Sequence, residues 1–136
     1  MANKSAVEAL ISSEVVEEKD LYIPRLQTYF TVKTIEYDEI KEVEDQSKEM
    51  VGKGSKRREE INEEKYGSLM IVKGCVEPQF ADKRLLDHYG VSSADEVVTK
   101  SLRIGEIKMI SAEILKISGF DDSEEEAQEK VEEAKN

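Results

Sequence analysis

The chain has no Trp, only two Pro, one Cys and one His among its 136 residues, and aromatic side chains make up just 6%. A single cysteine, Cys75, rules out an internal disulfide and suits a reducing compartment. One Cys and one His cannot assemble a structural zinc site. No apolar run approaches the length of a membrane helix. The first twenty residues, MANKSAVEALISSEVVEEKD, lack the apolar stretch and small-residue cleavage site of a secretory signal. The expectation is a cytoplasmic protein that neither spans nor coats a membrane. With so few aromatics the core must be aliphatic, and 38% hydrophobic residues against 38% charged ones keep it modest.

What the chain has in excess is negative charge: 31 acidic residues against 20 basic ones, a formal net of -11. That is the wrong sign for neutralising phosphates or an anionic bilayer, so nucleic acid is not an expected partner. The acidity is uneven. Residues 121–136 carry eight acidic residues against Lys130 and Lys135, a net of -6, which leaves -5 on the preceding 120. The division expected is a domain over residues 1–120 and an acidic tail over 121–136, a marginal helix or disordered. Its only apolar repeat is Ala127, Val131 and Ala134.

Ser5 and Glu8 have capping-box spacing, and Val7, Leu10 and Ile11 fall on one face of a short first helix. LYIPRLQTYFTVKTI, residues 21–35, then alternates with β-branched and aromatic enrichment, predicting two strands joined near Gln27 and Thr28, with Pro24 in an edge strand. Helical spacing over residues 37–51 places Ile40, Val43 and Met50 on a narrow stripe. GKGSKRREE, residues 52–60, reads as a mobile loop. A buried helix is expected between Ile61 and Pro78, although Gly67 and Gly74 weaken it. Two short helices follow, separated at Gly90, with Ser92 or Ser93 capping the second. A final core helix carries Ile107, Ile110, Ile114 and Ile117 at three-four spacing and stops at Gly119.

Little of this points to chemistry. Cys75 and His88 have neither a nucleophile turn nor an orienting partner, and a lone cysteine is most simply a small buried hydrophobe. DDSEEEAQ lacks the glycine-containing loop of a calcium hand, and GKGSK lacks Walker spacing. No catalytic, cofactor-binding or metal-binding residue is expected. The candidates for partner contact are Ile104, Met109 and Leu115, which lie beside the isoleucine stripe, and Glu124, Glu125, Glu126 and Glu129 of the tail.

Three motifs in order, MIVKGCVEPQF, LLDHYGVSSADEVV and LRIGEIKMISAEILKISGF, resemble those of the XkdN-like tail assembly chaperones of PBSX-type phages and defective prophages. The positions that carry the resemblance are Gly74, Glu77 and Pro78; Leu85, Leu86, Tyr89 and Gly90; Gly105, Glu106 and Ile107; and Ser118, Gly119 and Phe120. YIPRLQTYFTVKTIEYDEIKEV fits the family's Arg-Leu strand, second strand and Glu-rich helix, so the resemblance covers roughly residues 5–120. Cys75 and the basic stretch over residues 53–58 depart from the pattern.

The resemblance implies a non-enzymatic factor, encoded just before the tape measure protein and absent from the finished virion. It would hold that protein soluble and help recruit tail tube subunits around it. The expected fold is a helix-dominated α+β domain with a small N-terminal β-hairpin. A rival reading from acidity alone is a small binding module or anti-activator that occupies a basic surface of another protein.

Overall fold

The computed structural model describes residues 5–120. The chain runs α1 (Ala6–Ser12), β1 (Glu18–Ile23), a 3-10 turn (Pro24–Leu26), β2 (Thr28–Lys33), α2 (Tyr37–Ser47), β3 (Lys48–Val51), a second 3-10 turn (Gly54–Lys56) and β4 (Arg58–Ile61). It continues through α3 (Glu63–Gly74), β5 (Cys75–Glu77), α4 (Lys83–Tyr89), α5 (Ala94–Ser101) and α6 (Ile104–Ile117). Two antiparallel sheets result, β1-β2-β5 and the β3-β4 ribbon. This is the expected helix-dominated α+β fold with an N-terminal hairpin. The acidic-tail reading concerns residues outside the described ones.

The N-terminal hairpin pairs Glu18 with Lys33 through Ile23 with Thr28. Its turn is built by Pro24, whose fixed φ opens the 3-10 turn, and by Gln27, which closes it at φ 52. Pro24 therefore ends β1 and does not lie within it. The strand is still an edge. Its core-facing side contributes Leu21 and Ile23, while the rings of Tyr22 and Tyr29 meet at a tilt of 58° on the open face with centroids 5.0 Å apart.

Two expectations between residues 37 and 60 fail together. The helix stops at Ser47 instead of running to Val51, because Ser47 spends its hydroxyl on the Val43 carbonyl (2.6 Å) and its own carbonyl accepts from Asn62 N–H (2.7 Å). GKGSKRREE is not a loop but the tip and return strand of a ribbon, paired from Lys48 with Ile61 to Val51 with Arg58. Gly52 and Gly54 adopt φ 85 and 59, and a Cβ at Gly52 would sit 2.6 Å from the Lys56 carbonyl oxygen. Its run of charged residues masked the strand, since both faces of this ribbon are wet and no apolar alternation exists to read.

The core is centred on α3, which packs against α2, α5 and α6. Gly67 and Gly74, which weaken a helix by propensity, are what let α6 approach. A Cβ on Gly67 would lie 3.2 Å from Ile107 Cγ2, and one on Gly74 would lie 2.7 Å from both Ile114 Cδ1 and Cγ2. Both pairs are seven residues apart, about two turns, so α3 and α6 run parallel with two isoleucines seated over two bare backbone positions. Ile110 and Ile114 are fully buried, and Ile107 and Ile117 pack at the margin. Past Gly74, Cys75 pairs with Val32 as β5, a strand that the helical spacing had absorbed.

Both ends of α6 are tied to the sheet. Arg25, in the first 3-10 turn, forms a bidentate pair with Glu106 (2.8–3.1 Å) and donates to the Ser101 carbonyl (3.0 Å). Glu106 also accepts from Arg103 N–H at the helix start (2.8 Å). At the other end Ser118 Oγ donates to the Ile114 carbonyl (2.6 Å) and accepts from Ile35 N–H (3.0 Å). Gly119, at φ 93, closes the helix with Gly119 N–H to Lys116 and Phe120 N–H to Leu115, the two bonds of a Schellman stop. Gly90 at φ 65 ends α4 in the same way, with Val91 N–H to Leu86.

Two stability measurements follow. Gly74→Ala should destabilise by about 1–3 kcal/mol, because overpacking against β-branched Ile114 outweighs the ~0.8–1 kcal/mol that helix propensity offers. Gly105→Ala, where nothing lies within 4 Å of the new Cβ, should be neutral or stabilising by up to about 1 kcal/mol; urea midpoints of the two variants check the contrast. The Arg25 hydrogen bond holds the Glu106 carboxyl below its ordinary value of 4.5. A depressed carboxylate contributes its stability fully above the unfolded value and loses it as pH falls through the folded one. Stability should therefore drop below about pH 4.5, and Glu106→Gln should flatten that limb of a urea-midpoint series between about pH 6 and 3.

Candidate partner-binding site

The lone cysteine occupies the core, and burial pushes its thiol up to about 12, so it stays protonated and unreactive at neutral pH. His88 lies on the exposed side of α4, its ring edge-on to Tyr89 at 4.8 Å. A surface depression of about 400 Å³ is lined by Glu77, Pro78, Gln79, Asp82, Arg84 and Leu85, and contains neither. Within it Asp82 is closed onto Arg84 at 2.7 Å, and those hydrogen bonds hold its carboxyl down at about 2. Among the described residues no group of three or more His, Cys, Asp or Glu is placed to hold a metal ion, and no helix is long and apolar enough to cross a membrane.

Of the residues singled out for partner contact, Ile104 is 66% exposed at the start of α6 and Met109 is 37% exposed. Leu115 is half-buried and packs against the core. The three do not form one patch. Ile104 and Leu115 are eleven residues apart, about three turns, and share one flank of the isoleucine stripe; Met109 lies on the opposite flank. Beside Ile104, Gly105 meets nothing among the described residues, so the first turn of α6 presents bare backbone next to one large aliphatic side chain. Glu124, Glu125, Glu126 and Glu129 lie outside the described residues.

The larger apolar surface is elsewhere. Ser5 Oγ caps α1 by accepting from Glu8 N–H at 3.1 Å, as its spacing predicts. Yet Val7, Leu10 and Ile11 are 66–79% exposed, and Val15 in the following connector is 73% exposed. A seven-residue helix is marginal alone. Among the described residues, none buries any part of α1, so its apolar face is displayed. Periodicity predicted that face correctly; what the face meets is a tertiary fact that spacing does not carry.

No curated protein matches the chain. The crystal structure of the protein YqbN superposes with a TM-score of 0.63, over 89% of this chain and 100% of that one, at 20% identity. That likeness is one of fold. The sequence model of the phage XkdN-like tail assembly chaperone family matches residues 7–135, so it begins in α1 and runs on through the acidic segment. It encompasses the Arg25–Glu106 tie, the glycines that seat α6 and both Schellman stops, and with that match the chain belongs to the phage XkdN-like tail assembly chaperone family.

Proposed function

We propose that this chain binds the tape measure protein in the host cytoplasm, keeps it soluble, and helps bring tail tube subunits to it without entering the finished virion. The observation that carries the reading is the uncovered apolar face of α1 with Val15 beside it. A tape measure protein is long and helical, and its apolar seams are exposed until the tube encloses them. A short amphipathic helix on an acidic body suits such a seam: the aliphatic face supplies contact, and net negative charge keeps the complex dispersed. Fully burying Leu10 and Ile11 would return roughly 1.5–3 kcal/mol each before the cost of ordering. A contact of that size can hold and still be displaced by an assembling tube. Ile104 and Met109 are secondary contacts on separate flanks. Leu115 is committed to the core and is left out of the contact.

Co-expression with the tape measure protein that this reading assigns as its partner is the test. Leu10→Glu with Ile11→Glu should cut recovery of soluble tape measure at least ten-fold, a loss of about 1.4 kcal/mol or more, while thermal unfolding of the chaperone stays unchanged. Met109→Glu should weaken capture less. Equal soluble tape measure and equal pull-down in wild type and both variants would remove the contact assignment.

A further inference from the structure

The tip of the β3–β4 ribbon concentrates positive charge in a chain that is otherwise acidic. Lys53, Lys56, Arg57 and Arg58 are all exposed within six residues. Arg58 pairs with Glu60 at 2.7 Å, but among the described residues Lys53, Lys56 and Arg57 have no carboxylate within 4.0 Å. The tip is also a built object: Lys56 N–H to Lys53 O (3.1 Å) and Arg57 N–H to Gly54 O (3.2 Å) fix its turn, so the cations are presented together.

The complementary charge in this chain is the run Asp121, Asp122, Glu124, Glu125, Glu126, Glu129, Glu132 and Glu133, outside the described residues. We propose that this acidic C-terminal segment docks on the basic tip of the β3–β4 ribbon of its own chain. Its point of departure is known, because Ser118 Oγ lies 3.0 Å from Ile35 N–H, beside the start of α2. From there to the ribbon tip the path is roughly the length of α2 plus that of the ribbon and its turn, on the order of 40 Å. Sixteen residues span up to roughly 53 Å when extended, so acidic residues of the segment come within reach of the tip.

Tethering favours this occupant over others. A segment linked by so short a chain acts at millimolar effective concentration. A foreign polyanion such as nucleic acid must instead approach a molecule of net charge -11. The contact is exposed and ionic, so it yields to salt, and to any partner that offers the ribbon a better set of carboxylates.

Paramagnetic broadening in the full chain tests this. A spin label on Gln128→Cys leaves every charge in place, and Cys75 stays unlabelled because it is buried. At about 20 mM salt the amides of residues 52–58 should broaden several-fold, and the broadening should vanish at about 0.5 M salt. It should also vanish at low salt when Lys53, Lys56 and Arg57 are each replaced by Gln, in a variant whose remaining amide spectrum shows the fold intact. No broadening at low salt, or broadening unchanged in the Gln variant, overturns the proposal. So does broadening that arises only when isotope-labelled chains are mixed with separately spin-labelled ones, which would assign the tip to a second copy.

Discussion

The fold hangs on the seating of Ile107 and Ile114 over Gly67 and Gly74. Two helices with side chains at all four positions would stand farther apart, and the sheet could not then be tied to both ends of α6 at once. With the glycines in place, α6 lies low on α3. Arg25 grips its start through Glu106, and Ile35 is held to its end through Ser118. The helix is thus a clamp between the central helix and the N-terminal hairpin. Helical propensity is given up at two positions, about 0.8–1 kcal/mol each for an interior Gly, in exchange for close packing of two large aliphatic side chains.

That clamp decides what remains for a partner. The inner stripe of α6 is consumed by α3 and the sheet, and Leu115 is drawn against the core. The outer flanks of α6 keep only single large apolar residues, Ile104 on one and Met109 on the other. A continuous apolar face survives where the clamp does not reach, on α1, ahead of the edge strand. Among the described residues the core is built from β1 onward, and the helix before it contributes no buried residue.

The isoleucine stripe, its stop at Gly119, the short helices around Gly90 and the N-terminal hairpin were legible because each rests on a local signal. Three-four spacing, left-handed glycine and strand alternation all act within a few residues. The ribbon and β5 were not. The ribbon has no buried face to impose alternation, and β5 is three residues whose apolar members continue a helical pattern. Gly67 and Gly74 read as defects because propensity is local, whereas their purpose is the approach of a helix forty residues away. The order of the motifs carried the family. The proposed contacts were less legible: Ile104 and Met109 are exposed while Leu115 packs against the core, and nothing in a period of 3.6 tells whether the face of α1 finds a core.

Amide hydrogen exchange of the isolated chain tests this division most directly. If the α3–α6 interlock anchors the fold and α1 stands uncovered, amides in the middle of α3 and α6 should exchange only with global unfolding. Those of α1 should then exchange nearly as fast as an unstructured peptide. Protection of α1 equal to that of α6, or exchange of α6 ahead of global unfolding, would contradict the account.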